Sequence, residues 1–421
     1  MRRTITVPMR PVRGVALASV VARCVQAGTL LILSRLVPLD EFGDAGVLMA
    51  IAAALQPVAT LRMDGAMLVP EDRDESARLG IAALALASIA SVLFAVVLLF
   101  AEPRLAALLG LHAGLTAWLI APALLLASSL GAVGTTALSR AGEFRRLSVA
   151  RILSAVATSA VSVGLAMAGI GVGAILVCFA FGVALPGIWG LRCLRLTNGR
   201  ATARSVREAA WRHRHFAMLA SPGALFNALA LRAPAYVLPG HLGSASFAAV
   251  DNAGRVWFTV MNPLIDAATA FLQHRTSGEF RGRHGAQHAV VLRIGWQLFL
   301  LAAICALPVM FAGPSIFGVV FGDTWTVVGV TSAILAPALA VQTAASAMSV
   351  VLLSTSRLKR LFAWQATYCV VRFAALLWAA QRLELEGVTR TLMVVDTLGY
   401  ASLAILAYQS ARTGATRTDA A

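Results

Sequence analysis

Charged side chains are scarce in this chain of 421 residues, where Asp, Glu, Lys and Arg together make up 13%. A water-soluble domain carries roughly 25% charged residues, so this composition cannot cover a surface that faces water. Hydrophobic residues make up 59% of the chain, and its mean hydropathy is +0.80. We therefore predict an integral membrane protein with many spans.

Lysine and acidic residues are also scarce: 34 Arg stand beside a single Lys and 19 acids, for a formal charge of +16. In a soluble protein such an excess would indicate nucleic-acid binding. Here the Arg residues lie mainly in short hydrophilic segments between apolar runs, as orientation in a membrane requires. We expect no nucleic-acid partner.

Residue patterns for metal, cofactor or hydrolytic chemistry are missing as well. The five cysteines are scattered without disulfide or metal spacing, and we interpret them as small apolar side chains. The four acids of segment 70–78 lack the spacing of oxygen ligands and favour a solvated turn that caps the third helix. Without a Walker loop, Rossmann glycines or a nucleophile elbow, we expect no enzyme, no cofactor and no metal.

Apolar runs long enough to cross a hydrocarbon core of roughly 30 Å recur along the chain. They predict an all-α polytopic membrane protein of about twelve transmembrane helices. The predicted spans are 14–34, 43–69, 77–101, 111–138, 148–168, 172–191, 216–238, 244–272, 288–313, 324–353, 361–381 and 391–409.

Basic residues set the predicted orientation. With the N-terminus inside, the cytoplasmic segments hold 24 Lys or Arg and the opposite loops hold four, so both termini are expected in the cytoplasm. Residues 192–215, with seven Arg, form a basic linker that we interpret as a solvated loop near anionic lipid. It divides the chain into an N-terminal lobe (1–191) and a C-terminal lobe (216–421). Six helices per lobe permit repeats related by a pseudo-two-fold axis, with a substrate site between them.

Several charges lie inside predicted spans, where each costs about 2.5–3.5 kcal/mol on insertion scales. Such a side chain must face a partner, a watery cavity or an anionic ligand. The embedded arginines are Arg23, Arg62, Arg232, Arg255 and Arg372, and the embedded acids are Asp64, Asp251 and Asp396.

Four of these arginines fall in corresponding helices of the two halves, namely the first and seventh and the second and eighth. A guanidinium binds phosphate oxygens bidentately and stays charged, so the set predicts a cationic cavity for a phosphate-bearing substrate. Buried ion pairs that lock helices together are the alternative. Asp251 and Arg255 share a helical face, whereas Arg62 and Asp64, two residues apart, should not face each other on a regular helix.

The remaining polar groups admit two interpretations each. Arg372 and Asp396 lie at similar depth on adjacent helices, which predicts a structural interhelix pair or, alternatively, a proton or cation relay. The three acids are candidates for ion coupling. Asn227 and Asn252 line the cavity or form interhelical hydrogen bonds.

Four short segments then resemble one known family. They are LDEFG at 39–43, LRMDGAMLVP at 61–70, Ser221-Pro222 with Arg232-Ala233-Pro234, and FGDTW at 321–325. In order and spacing they are similar to the polysaccharide-biosynthesis (Wzx-like) flippases of the multidrug/oligosaccharidyl-lipid/polysaccharide exporter superfamily. The chain departs from that pattern at Asp64, where the family has Glu.

The resemblance implies a V-shaped, two-lobed carrier of the bacterial inner membrane that alternates between inward- and outward-open states. Its implied substrate is an undecaprenyl-diphosphate-linked oligosaccharide, destined for a surface polysaccharide such as exopolysaccharide or O-antigen. A polysaccharide polymerase and glycosyltransferases are the implied partners. The first, second, seventh and eighth helices line the cavity in that architecture, with Arg23, Arg62, Arg232 and Arg255 on them.

Three other functions compete with this one. A cation-coupled drug or small-molecule antiporter of the same superfamily needs an acid-lined cavity, whereas five Arg and three Asp are embedded here. A non-transporting scaffold predicts that the arginines pair locally. An enzyme acting on lipid-linked sugars would need a long outer loop, and the predicted outer loops are short.

Overall fold

The computed structural model describes residues 9–112, 114–195, 202–276, 287–354 and 358–416, and this part of the chain is helical with connecting turns and no strand. Twelve long helices account for most of it. We number them α1 (Met9–Leu36), α2 (Leu39–Ala59), α3 (Arg73–Leu109), α4 (Leu115–Arg140), α5 (Phe144–Met167), α6 (Gly171–Gly190), α7 (Ser221–Leu242), α8 (Ser244–Thr276), α9 (Gln287–Phe321), α10 (Thr326–Met348), α11 (Leu358–Ala380) and α12 (Leu385–Thr416).

Ten of these helices are long and apolar enough to cross a membrane. The other two are α7 and α8, which interrupt their apolar runs with Arg232 and with Asp251 and Arg255. Every predicted span has its helix, so the prediction of an all-α polytopic protein with about twelve helices is confirmed.

The chain divides into two compact units. Unit 1 comprises residues 1–37, 47–106 and 112–225, and unit 2 comprises residues 38–46, 107–111 and 226–421. The two units share a packing pattern. In unit 1 the fourth helix, α4, packs on the sixth, α6, and in unit 2 the corresponding helices α10 and α12 pack on each other. The boundaries proposed at 191/192 and 215/216 stay predictions.

Small residues bring helices close together within each unit. In unit 1, a Cβ added to Gly134 of α4 would collide with the backbone of Gly187 of α6. In unit 2, Gly313 of α9 and Gly329 of α10 approach in the same way. Since lipid tails are as apolar as leucine, close backbone packing of this kind holds membrane helices together.

Two of the segments that carried the family resemblance meet in unit 2. Phe42, at the start of α2, packs edge-on against Trp325 with ring centroids 5.5 Å apart. Trp325 is fully buried and stacks on Phe321 at 5.2 Å. Gly322 between them has φ +108°, a conformation that residues with a Cβ rarely adopt. These two motifs therefore pack against each other.

The second predicted span is wrong beyond Ala59. It was expected as one helix to residue 69, but α2 ends at Ala59 and a four-residue helix follows at Met63–Ala66. Leu61 and Arg62 between them have φ values of +46° and +56°. Left-handed backbone at two non-glycine residues cannot continue an α-helix, so the chain turns here.

Part of the linker is helical, where a loop was predicted. Residues 196–201 lie outside the described residues, but a helix occupies Ala203–Arg212. Thr202 and Ser205 form a capping box at its start, and Arg204 pairs with Glu208 one turn later at 2.9 Å. These local signals favour a helix where a loop was expected.

The acidic turn before α3 caps that helix as predicted. The carboxylate oxygens of Asp72 accept hydrogen bonds from the backbone N–H groups of Asp74 (3.1 Å) and Glu75 (3.2 Å). A carboxylate at this place satisfies N–H groups that have no partner inside the helix.

Candidate anion-binding site

Three embedded charges of unit 2 form one cluster. Arg232 of α7 donates from Nη1 to Oδ1 of Asp251 at 3.1 Å, and Arg255 donates from Nε to Oδ2 of the same carboxylate at 2.5 Å. The spacing of Asp251 and Arg255 by four residues places both on one face of α8, as predicted. We call these three residues the arginine–aspartate cluster.

The cluster carries an excess positive charge that is partly accessible. The side chain of Asp251 is 11% exposed, whereas those of Arg232 and Arg255 are 40% and 33% exposed. One carboxylate compensates one of two guanidinium groups, so the cluster retains one formal positive charge. Each guanidinium also has N–H groups beyond those used by Asp251, which an anion can accept.

Helix α2 approaches the cluster closely. A Cβ built on Gly46 would lie 3.5 Å from Oδ2 of Asp251 and 2.9 Å from the ring of Phe247. Asp44 of the same helix accepts a hydrogen bond from Ser244 at the start of α8. A larger side chain at position 46 would therefore displace α8 and its carboxylate.

The two asparagines predicted at this site differ in accessibility. Asn252 is 2% exposed and donates to the carbonyl of Ala248 within its own helix at 2.9 Å. Asn227 is half-buried on α7. The structure therefore places Asn252 in the packed interior, and a cavity-lining role for either asparagine stays a prediction.

Arg62 and Asp64 lie at the break after α2 in unit 1. Contrary to the expectation for a regular helix, they do face each other, with Nη1 and Oδ2 3.9 Å apart, because the left-handed turn at Leu61 and Arg62 folds the guanidinium back. Asp64 is buried and also accepts a hydrogen bond from Thr60 at 3.0 Å. Arg62 remains 37% exposed. This pair is longer and looser than the cluster of unit 2.

Arg140 of α4 holds the segment after this break, a role that the sequence did not reveal. Its guanidinium donates to the carbonyl of Met67 at 2.8 Å, to that of Pro70, and to those of Glu71 and Asp72 at 3.2 Å each. One arginine thus binds four carbonyls of the segment that joins the break to α3.

Arg23 is half-buried on α1, and no acidic group of the described residues lies within 4 Å of it. It belongs to unit 1 with Arg62, whereas Arg232 and Arg255 belong to unit 2. The convergence of all four arginines on one chamber stays a prediction.

Arg372 and Asp396 form the interhelix pair that was predicted. Nη2 of Arg372 on α11 donates to Oδ2 of Asp396 on α12 at 2.7 Å, and both residues are buried. Tyr368 donates its hydroxyl to the other carboxylate oxygen at 2.7 Å, and Tyr400 packs edge-on against its ring at 5.5 Å. Both oxygens of Asp396 are therefore engaged. A relay role for Asp396 stays a prediction.

Comparison with protein families gives a match over most of the chain. The model of a family described as polysaccharide biosynthesis protein matches residues 32–328. No curated protein matches the sequence.

Solved structures share the fold at low sequence identity. A MATE family multidrug-resistance transporter of the MOP superfamily, in its inward-facing conformation, is 13% identical with a TM-score of 0.63, covering 96% of this chain and 95% of its own. The lipid II flippase MurJ, in an inward closed conformation, is 10% identical with a TM-score of 0.70, covering 95% and 90%. The bent form of the Vibrio cholerae MATE transporter VcmN is 13% identical with a TM-score of 0.59, covering 96% and 97%. The chain therefore has the fold of these membrane transporters.

Proposed function

This chain belongs to the family of polysaccharide biosynthesis proteins, and from that membership we propose that it is a lipid-linked glycan flippase. Its substrate is an undecaprenyl-diphosphate-linked oligosaccharide, which it moves across the bacterial inner membrane by alternating access. The glycan serves a surface polysaccharide, exopolysaccharide or O-antigen. Both termini lie in the cytoplasm, and glycosyltransferases and a polysaccharide polymerase act before and after it. The fold supports the proposal, because it is shared with a lipid II flippase.

The arginine–aspartate cluster carries the proposal. Two guanidinium groups share one carboxylate and keep a formal positive charge at partly exposed positions of otherwise apolar helices. A diphosphate offers charged oxygens in the geometry that guanidinium forks bind, and its binding offsets the cost of keeping the second arginine in a membrane helix. Arg232 and Arg255 are assigned to the diphosphate.

The other embedded charges take secondary roles in this proposal. Arg23 and Arg62 bind further acidic groups of the substrate, and Asn227 lies beside its path. Asp64 and Asp251 respond to the ion gradient or to the substrate, since each already pairs with an arginine that a phosphate would compete for. The prenyl chain remains in or near lipid.

Restoration of a flippase-deficient bacterial strain tests the function. The gene is introduced into strains that lack their own flippase and that display different surface polysaccharides, and the surface glycan is measured. Restored glycan in at least one strain is the expected result. Accumulation of lipid-linked oligosaccharide in the inner leaflet of every strain, despite normal amounts of the protein in the membrane, would contradict it.

A cation-coupled drug antiporter is the second candidate, because MATE transporters share the fold. A cationic cargo needs an accessible carboxylate without a competing cation. Asp251 is held by two arginines and Asp64 is buried beside Arg62, which argues against such a site in the described residues. Proton-driven efflux of cationic dyes from vesicles would favour this candidate over the flippase.

A further inference from the structure

Pro234 leaves one carbonyl of α7 without its helical partner. In an α-helix, the N–H of residue 234 would donate to the carbonyl of Ala230, four residues earlier. Proline has no N–H, and a proline ring inside a helix crowds the carbonyl four residues earlier, which weakens the helix at that point. Ala230 is 1% exposed, so bulk water does not reach this site. A neighbouring group must satisfy the carbonyl.

Arg372 of α11 supplies the missing donor. Its Nη1 lies 2.6 Å from the carbonyl oxygen of Ala230, while its Nη2 donates to Asp396 at 2.7 Å. The planar fork of one guanidinium therefore reaches both the carboxylate and the carbonyl. Asp396 is fixed in turn by the hydroxyl of Tyr368. The arginine of the ion pair thus donates to the backbone oxygen that has lost its helical N–H partner at Pro234.

Helix α7 contacts both α11 and α8 through residues 230–232. The Ala230 carbonyl binds Arg372 of α11, and Arg232, two residues later, binds Asp251 of α8. Further along, Tyr236 stacks on Phe373 of α11 with ring centroids 6.2 Å apart. A change in backbone geometry at Ala230 therefore changes where the Arg232 side chain leaves its helix.

We propose that Arg372 is a positioning residue, which holds α7 at Pro234 through the Ala230 carbonyl and thereby places Arg232 in the arginine–aspartate cluster. The consequence for transport rests on the proposed function. The positioning of α7 and Arg232 by Arg372 does not rest on the proposed function, and it is tested without substrate.

Hydrogen exchange of α7 tests whether the bond to the carbonyl is the operative contact. The purified protein in lipid nanodiscs carries Arg372→Met together with Asp396→Asn, so that no buried carboxylate is left unpaired. Amide exchange in α7 peptides is expected to rise roughly tenfold, because a hydrogen bond from a charged group is lost. Adding Pro234→Ala restores an N–H at that position and is expected to return exchange to within about twofold of the parent.

Pro239→Ala is the matched control, because it also removes a proline from α7 but does not supply a donor to Ala230. Arg372→Lys is the second variant, in case the double substitution does not fold. Its ammonium keeps a charge for Asp396 but lacks the fork, so exchange is expected to rise and to fall again with Pro234→Ala. Unchanged exchange in both Arg372 variants, or equal rescue by Pro239→Ala, would overturn the proposal.

A distance measurement tests the positioning itself. Spin labels are attached at positions 231 of α7 and 260 of α8, two exposed sites, in a background without native cysteines. Arg372→Lys is expected to broaden or shift the distance distribution, whereas Arg390→Ala, on the exposed surface, leaves it unchanged. An unaltered distribution in Arg372→Lys would overturn the positioning role. Because neither measurement contains a glycan, a failed flippase assay leaves this result intact.

Discussion

Unit 2 contains two arginine–aspartate contacts, the Arg372–Asp396 pair and the arginine–aspartate cluster, which differ in burial and in charge balance. Arg372 and Asp396 are each 9% exposed at the side chain, and they bind each other, the Ala230 carbonyl and the Tyr368 hydroxyl. In the cluster, Arg232 and Arg255 are 40% and 33% exposed and share a single carboxylate. The first contact is balanced in charge and buried, whereas the second has an excess positive charge and is partly open.

The difference shows that embedded charge alone does not identify a binding site. A buried ion pair that is balanced in charge fixes helices relative to one another, and removing one partner is costly. A half-exposed group with unused donors can exchange its partner for a ligand. Stoichiometry and accessibility therefore separate the structural arginine from the candidate substrate arginines.

The largest expected effect is on stability at the buried pair. Asp396→Ala leaves the Arg372 guanidinium buried without its counterion and is expected to lower the free energy of unfolding by about 3–5 kcal/mol. Glu386→Ala breaks the exposed pair with Arg390 and is expected to cost about 0.2–1 kcal/mol. Unfolding by sodium dodecyl sulfate in mixed micelles measures both. Equal losses in the two variants would remove the distinction between buried and exposed pairs.

Transport is expected to depend strongly on the partly exposed arginines of the cluster. Arg255→Ala is expected to lower surface glycan synthesis roughly 10- to 100-fold in a complemented strain, because one charge-assisted contact to the diphosphate is lost. The matched control is Arg390→Ala, since Arg390 also pairs with an acid four residues away but lies on the surface. Both variants should reach the membrane in normal amounts. Normal glycan with Arg255→Ala would place the phosphate elsewhere.

Asp251→Asn separates the flippase from the cation antiporter. The amide keeps one acceptor oxygen, enough for Arg232 or Arg255 but not for both. It also removes the negative charge, so the cluster gains net positive charge. Affinity for undecaprenyl diphosphate, measured on purified protein, is expected to stay within about threefold of wild type or to rise. An antiporter that holds its cargo at this carboxylate would lose cation binding instead. A large loss of diphosphate affinity would show that the carboxylate itself is needed to orient the arginines.

The smallest expected effect is that of salt, which should weaken binding at the exposed cluster and leave the buried pair unchanged. Raising the ionic strength from about 0.1 M to 1 M shortens the Debye length from roughly 10 Å to 3 Å, which screens exposed charges more than buried ones. Undecaprenyl diphosphate should bind a few-fold more weakly at the higher salt. The stability cost of Asp396→Ala should not change. Equal sensitivity of both quantities would indicate that the two arginine contacts share one environment.

The helical architecture could be predicted from the sequence because hydropathy and span length decide it. The twelve long helices of the described residues each match a predicted span, and the pairs Asp251–Arg255 and Arg372–Asp396 followed from a four-residue spacing and a similar depth. These are local or nearly local patterns, which a single sequence displays.

The missed features depend on backbone conformation or on distant carbonyls. Leucine and arginine rarely adopt positive φ values, so the residue types at Leu61 and Arg62 do not predict this turn. The pairing of Arg62 with Asp64, which depends on the turn, was therefore not predicted. Arg140 was missed because its partners are carbonyls about 70 residues away. The Ala230 carbonyl did have a signal, since Pro234 stands four residues later, but its donor Arg372 lies 142 residues along the chain.

Direct binding of undecaprenyl diphosphate to the purified protein in nanodiscs tests the central claim, which is that the half-exposed arginine–aspartate cluster holds the diphosphate. We predict that Arg232→Ala combined with Arg255→Ala weakens binding at least about 100-fold, while Arg390→Ala leaves it within about twofold of wild type. Unchanged affinity in the double variant, with the protein folded, would contradict the account.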